Sequence, residues 1–277
     1  MRTGFFTAQK LDTPIHKLSG LTKLLCFLIL TGAVMFSYDL RVILCVMVFS
    51  FIVLRLSKIT FSQIKLMVIY VVVFLAVNAL LTFLFSPTYG TEIYGTRHII
   101  LRLFGRYDVT TETLFFILTK FTKYSSVIPL GMIFLLTTDP SELASSLNAV
   151  GIHYKIAFSF SLTLRYFPDI QRDYRDISQS QQARGLEMSN KAKIWDRFKR
   201  ALSIILPLIL STLDRIETIT NAMDLRGFGK YKKRTWYSKR KMDRGDAVAL
   251  LISVVILLGT LAVSVFINHG RFYNPFI

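Results

Sequence analysis

The chain has 277 residues, 52% of them hydrophobic, with a mean hydropathy of +0.47 and a formal net charge of +17. Its apolar residues gather into runs of about 17–25 residues, the length that crosses hydrocarbon as a helix, which excludes an ordinary soluble globular chain. The basic excess does not read as a nucleic-acid surface. Most of it lies in the N-terminal arm, around Arg55–Lys65 and between Lys155 and Arg244, although Arg97, Arg102 and Arg106 fall elsewhere, and there is no finger spacing or aromatic-interleaved groove.

In chain order, residues 1–20 form a basic arm, and membrane spans are expected near 21–37, 41–57, 64–86, 111–136 and 247–268. The short turn Ser37-Tyr38-Asp39-Leu40 predicts that the first two spans form a helical hairpin. Residues 87–110, with Pro87, Gly90, Gly95 and Gly105, read as an external loop holding one interfacial helix. Lys120 and Lys123 interrupt the fourth span, so they either face other helices or snorkel to the interface. The segment 139–246 carries two shorter apolar pieces, 156–167 and 201–213, that run on into polar helix.

The expected organisation is a membrane domain over 1–138, a cytoplasmic helical domain over 139–246, and a last span with an external tail over 247–277 that belongs to the membrane domain. The positive-inside rule places the N-terminus and the basic 139–246 segment in the cytoplasm and the C-terminus outside, in a multi-pass membrane protein. Anionic lipid then favours each surface Lys or Arg by about 1 kcal/mol, so the run Lys230, Lys232, Lys233, Arg234 reads as a topology anchor. The fold class is thus an all-α integral membrane protein of about five spans plus a cytoplasmic helical domain.

Two points in that domain stand out. Gln181-Gln182-Ala183-Arg184-Gly185 and Ala222-Met223-Asp224-Leu225-Arg226-Gly227 each end an amphipathic helical pattern that holds one proline, Pro168 or Pro207. Ile170, Tyr174, Ile177, Gln181 and Arg184 follow helical steps along one face, as do Ile205, Leu208, Thr212, Ile216, Ile219, Met223 and Arg226. Each arginine therefore extends an apolar stripe, and the following glycine suits the left-handed residue that stops a helix and aims its last side chain. An arginine in a last turn is also favoured by the helix dipole alone, by about 0.3–1 kcal/mol. Two such devices in one segment point instead to two similar docking points, each offering a planar fork of donors to carboxylates or carbonyls of a partner.

Catalytic chemistry is not legible. Gly227-Phe228-Gly229-Lys230 lacks phosphate-loop spacing, and Tyr231 stands where the hydroxyl residue for Mg²⁺ belongs. His16, His98, His153 and His269 are scattered, so no metal site is expected. Asp169, Asp173 and Asp176 interleave with Arg172 and Arg175 and read as a solvated, salt-bridged face. Cys26 and Cys45 fall inside spans and read as small core hydrophobes. A competing reading is a membrane-embedded enzyme acting on anionic lipid or a lipid-linked phosphate, which would need a convergent nucleophile, acid–base or metal set.

The chain resembles the transmembrane T subunit of energy-coupling factor (ECF) transporters, relatives of the ABC transporters. Asn221-Ala222-Met223-Asp224-Leu225-Arg226-Gly227-Phe228 is similar to that family's second coupling motif, and Ala183-Arg184-Gly185 to its first. Pro14-Ile15-His16-Lys17-Leu18 with Thr22-Lys23-Leu24, Asp139-Pro140-Ser141-Glu142-Leu143-Ala144, and Leu164-Arg165-Tyr166-Phe167-Pro168-Asp169 agree as well. Leu225 stands where the family usually has a small residue, Asp224 where it often has Glu, and Ser19-Gly20 where Asp-Pro is usual.

The resemblance implies a non-catalytic subunit of a vitamin or micronutrient importer. Two ABC-type ATPases would supply ATP and Mg²⁺ chemistry, so this chain needs no cofactor of its own, and a small membrane S subunit would bind substrate. Arg184 and Arg226 would dock the ATPases, with Ala183, Gly185, Leu225 and Gly227 shaping the helix ends. Ile170, Tyr174, Ile177, Ile205, Leu208 and Ile219 would pack the two helices together or meet the S subunit. The lipid bilayer is the remaining partner, and nucleic acid is not one.

Overall fold

The computed structural model describes residues 13–59, 61–101, 108–185, 194–231, 235–237, 240, 242–268 and 272–276. The chain divides into two compact units, one built on Leu143–Lys239 and the other on Phe6–Glu142 with Arg240–Ile277. Expectations on residues 1–12 of the basic arm, on Lys232–Arg234 and on His269 lie outside the described residues.

The second unit carries the apolar helices. A short α1 (Pro14–Lys17) precedes α2 (Gly20–Phe36), α3 (Leu40–Leu56) and α4 (Phe61–Phe85). A six-residue α5 (Tyr89–Tyr94) is followed by strands β1 (Ile99–Leu101) and β2 (Val109–Thr110), then α6 (Thr111–Thr137), with α10 (Arg244–Ala262) continuing into a π-helical turn, Val263–Ile267. Polar residues fix the starts. The hydroxyl of Ser19 accepts the Thr22 N–H at 3.2 Å, a carboxylate oxygen of Asp39 accepts the Arg41 N–H at 2.9 Å, and the hydroxyl of Thr110 accepts the Thr113 N–H at 3.3 Å. Ser19 thus caps α2.

Helices stand at all five expected span positions, within a few residues. Met67–Phe85 and Arg244–Ile267 are long and apolar enough to cross a membrane, with mean hydropathies of 2.6 and 2.8; α6 joins them when counted together with the helix that follows it. At 17 residues each, α2 and α3 reach only about 26 Å at 1.5 Å per residue, short of roughly 30 Å of hydrocarbon.

The α2–α3 hairpin expected from the short turn is not the main packing unit. Instead α3 lies chiefly against α6, and α10 chiefly against α2. The buried face of α6 is made of small polar residues, Thr119, Thr122 and Ser126, together with Lys123. The hydroxyls of Thr119, Thr122 and Ser126 donate back to the carbonyls of Phe115, Leu118 and Lys123, keeping the helix surface smooth. Ser50 of α3 reaches the Ser126 carbonyl at 3.4 Å, the close approach that small residues permit. Beneath this contact Ile15, Leu54, Met132 and Ile133 form the apolar core.

The two interrupting lysines face other helices. Lys120 donates to the Thr82 hydroxyl at 3.0 Å, and Lys123 donates to the Met35 carbonyl at 2.6 Å while lying 3.6 Å over the Tyr38 ring. Between α4 and α6 the expected external loop is more ordered than its sequence suggests. The hairpin pairs Ile99 with Thr110 and Leu101 with Val109, while Glu112 accepts from the His98 N–H at 3.0 Å and pairs with its ring at 2.7 Å. Both cysteines are free thiols, but Cys45 is exposed on the outer face of α3 and is not core.

The first unit holds the end of α7 (Pro140–Ala149) and the two longest helices, α8 (Tyr154–Ala183) and α9 (Ile194–Leu225). The short apolar pieces at 156–167 and 201–213 are the early parts of these continuous helices, each tolerating its proline.

Candidate functional site

Both Arg-Gly sequences terminate helices, by closely related backbone chemistry. At the end of α8 the Arg184 N–H bonds the Gln181 carbonyl at 3.2 Å, and Gly185, at φ +87°, donates to the Gln182 carbonyl at 3.0 Å. At the end of α9 Gly227, at φ +67°, donates to the Asp224 carbonyl at 2.9 Å, and Phe228 donates to the Met223 carbonyl at 2.9 Å. The latter pair of bonds is a Schellman closure, in which a left-handed residue lets the chain satisfy the last open carbonyls. Only glycine enters that region without a Cβ penalty. Ala183, Arg184, Gly185, Leu225 and Arg226 are exposed, Leu225 at 90%, and Gly227 is half-buried.

The second end is held in place by an aromatic stack. Phe228 lies 4.8 Å from the Phe158 ring and 5.8 Å from the Tyr154 ring, near the start of α8. Trp236 is 6.4 Å from Phe158 and donates its indole N–H to Asn148 at 3.0 Å. A methyl group at Gly229 (φ +91°) would stand 3.4 Å from the Lys155 ammonium, so this turn also passes close to α8.

Farther along, Arg215 of α9 meets Asp173 of α8 at 2.6 Å. With Phe228 at the start of α8 and Arg215 at its middle, α8 and α9 run in opposing senses. Each arginine lies eleven residues beyond its helix's member of that ion pair, or about 16 Å of helix. The structure therefore does not bring Arg184 and Arg226 together. Because α9 runs back along α8 to the Phe158 ring, the two ends lie on opposite sides of the Asp173–Arg215 contact, up to roughly 33 Å apart along the helices.

Of the stripe residues, Ile170, Ile177, Leu208 and Ile219 are half-buried, while Tyr174 and Ile205 are exposed at 43% and 42%. The packed face of α9 is centred one residue away, on Ile204, which is 1% exposed. Sequence reasoning missed Ile204 because apolar residues occupy several faces of α9: Leu206, Ile209, Leu210 and Leu213 are all exposed. An apolar surface of that extent marks a binding or lipid-facing region. Asp173, read as part of a solvated ladder, is instead the cross-helix partner of Arg215; Asp169 keeps the local pairing, 3.6 Å from Arg172.

A unit of apolar helices with one small hairpin, and a unit that presents two Arg-Gly helix ends, accord with the transmembrane component of an energy-coupling factor transporter, the class to which its relatives assign the chain. The chain belongs to the CbiQ family, described as cobalt transport protein, whose model matches residues 12–237. Among its relatives is the energy-coupling factor transporter transmembrane protein EcfT of Limosilactobacillus fermentum, 28% identical over 142 residues, or 48% of this chain and 53% of that protein. The EcfT of Lactococcus lactis subsp. cremoris is 24% identical over 255 residues, covering 89% of this chain and 91% of that protein. A Bifidobacterium longum protein named as an ABC transporter ATP-binding protein is 32% identical over 149 residues, 49% of this chain but only 19% of that longer protein. The matched stretch thus spans about half of the first relative and nine-tenths of the second.

Proposed function

We propose that this chain is the coupling subunit of a vitamin or micronutrient importer, driven by two ABC-type ATPases and working with a small substrate-binding S subunit. Arg184 and Arg226 each enter a surface groove on one ATPase, where the guanidinium fork bonds carboxylates or carbonyls. Ala183, Gly185, Leu225 and Gly227 set the shape of the two ends. When the ATPases bind and hydrolyse ATP their spacing changes, and the two ends, fixed at opposite extremes of one antiparallel helix pair, turn that change into rotation of α8 against α9. The apolar surface carrying Ile170, Tyr174, Ile177, Ile205, Leu208 and Ile219 passes the motion to the S subunit, which reorients and releases substrate inward.

The observation that carries this reading is the pair of glycine-terminated helix ends set at equal distances from the Asp173–Arg215 contact. Two equivalent arms suit two equivalent motors. Support for an ATPase partner comes from the Bifidobacterium longum relative, since a protein named for ATP binding contains a region similar to this chain. The chain itself is non-catalytic, with ATP and Mg²⁺ held by the ATPases. Its N-terminus and coupling helices face the cytoplasm and its C-terminus faces outward, following the location of the basic residues.

Purification in mild detergent with mass identification of co-purifying chains tests this composition. Two ATPase subunits and a small hydrophobic protein are expected, and the isolated chain should hydrolyse no ATP. Robust hydrolysis by a preparation free of other subunits would refute the non-catalytic role.

A further inference from the structure

The chain passes out of the membrane-helix unit after Glu142 and returns to it at Arg240. These two residues are bonded to each other. The Arg240 Nε stands 2.9 Å from a carboxylate oxygen of Glu142, whose side chain is only 11% exposed. Residues 98 positions apart in sequence are thereby joined at the two places where the backbone crosses between units.

Arg240 is tied down further. Its Nη1 donates to the carbonyls of His16 and Lys17 at 3.3 and 3.4 Å. Those carbonyls belong to the last turn of α1, where no intrahelical donor remains to meet them. Beside it the buried Lys23 donates to the Thr137 carbonyl, at the end of α6, at 2.7 Å and lies 3.5 Å from the His16 carbonyl. Asp246, in the first turn of α10, accepts the N–H of Ser19 at 2.8 Å and of Asp243 at 2.8 Å. Two cations thus cap the negative ends of α1 and α6, and the Asp246 carboxylate holds the opening turn of α10.

We propose that Arg240 and Glu142 are positioning residues for transport: they form a clasp that makes the two chain crossings one joint and fixes that joint to α1. The inference rests on the coupling function above. The covalent chain at Glu142–Leu143 and Lys239–Arg240 is a path by which displacement of the Arg-Gly ends reaches the apolar helices. Two independent tethers would let each crossing yield separately, whereas a clasped pair moves as a unit and passes a rotation on. The bidentate reach of arginine, one nitrogen to the carboxylate and another to helix-end carbonyls, suits this role in a way that lysine does not.

The test uses the complete transporter co-purified from membranes, with Cys26→Ser and Gln179→Cys so that spin labels sit on the exposed Cys45 of α3 and on the exposed position 179 of α8. ATP is the probe, and the distance between the labels is measured by pulsed electron resonance with and without it. The wild-type clasp is expected to show an ATP-dependent shift. Glu142→Gln and Arg240→Gln should each lose the shift while ATPase co-purification and ATP hydrolysis persist, and the reversal Glu142→Arg with Arg240→Glu should regain part of it. An unchanged shift in both single variants overturns the clasp alone. A parallel loss of assembly and hydrolysis in them, or a reversal no better than the singles, also overturns it. Absence of ATPases from the complex with the clasp intact overturns the coupling function on which the clasp depends.

Discussion

Asp173 and Arg215 meet at 2.6 Å across the two longest helices, and each lies the same eleven residues before an Arg-Gly helix end. The pair is partly shielded, with side chains 24% and 33% exposed. It marks a contact between antiparallel helices that lies the same number of residues from each helix end. Asp173→Ala and Arg215→Ala, taken singly and together, should show a coupling of about 1 kcal/mol in thermal unfolding of the detergent-solubilised protein. Strict additivity would mean the contact does not hold the two helices together.

The glycines separate into three groups. At Gly185 and Gly227 a methyl meets no atom within 4 Å, so the cost of Gly→Ala is the left-handed backbone alone, about 1–2 kcal/mol each. Gly90 is different, because its methyl would stand 2.5 Å from the Thr113 Cα and 2.7 Å from the Glu112 carbonyl carbon. Backbone cannot retreat, so Gly90→Ala should cost about 3 kcal/mol or more and lower the yield of folded protein. Gly32, inside α2 with nothing within 4 Å, is the control whose change to Ala should be neutral or mildly stabilising. Melting temperatures of the four variants give the order directly.

Stability should fall on mild acidification through His16. Burial, and then the nearby Lys23 charge, hold its pKa below the ordinary 6.5. The folded protein therefore favours the neutral ring, hydrogen-bonded at 2.6 Å to the Thr13 hydroxyl, and the unfolded chain takes up the proton first. Its contribution is complete above the unfolded pKa and is lost as pH falls through 6.5 toward the lowered folded value. Unfolding curves between about pH 7.5 and about pH 5.5 should be flatter for His16→Gln than for the wild type. Equal slopes would remove His16 as the cause.

Much of this architecture was legible in the residues. The apolar runs place α2, α3, α4, α6 and α10, of which α4 and α10 alone, among the described residues, carry the length and composition that hydrocarbon demands, and Gly185 and Gly227 mark the helix ends because few other residues accept their backbone angles. Pairing was harder to read. A turn as short as Ser37–Asp39 implies a hairpin only if the adjacent helices carry each other's best partners, and α3 instead packs where small residues of α6 let Ser50 approach the Ser126 carbonyl. Ile99–Leu101 is too short a run to announce a strand. In α9 apolar residues on several faces hide which one packs, so Ile204 escaped notice while Ile205 did not. Glu142 and Arg240 lay in segments already singled out, one in a motif and one in a basic stretch, but nothing in a linear reading joins residues so far apart.

The docking role is the central claim, and the direct measurement is quantitative mass analysis of ATPase subunits retained by affinity-purified Arg184→Ala, Arg226→Ala and the double variant. Each single change should weaken association by about 2 kcal/mol, roughly thirtyfold in affinity, and the double change should leave almost no ATPase bound while the membrane helices stay folded. Wild-type retention of both ATPases by the double variant would contradict the claim.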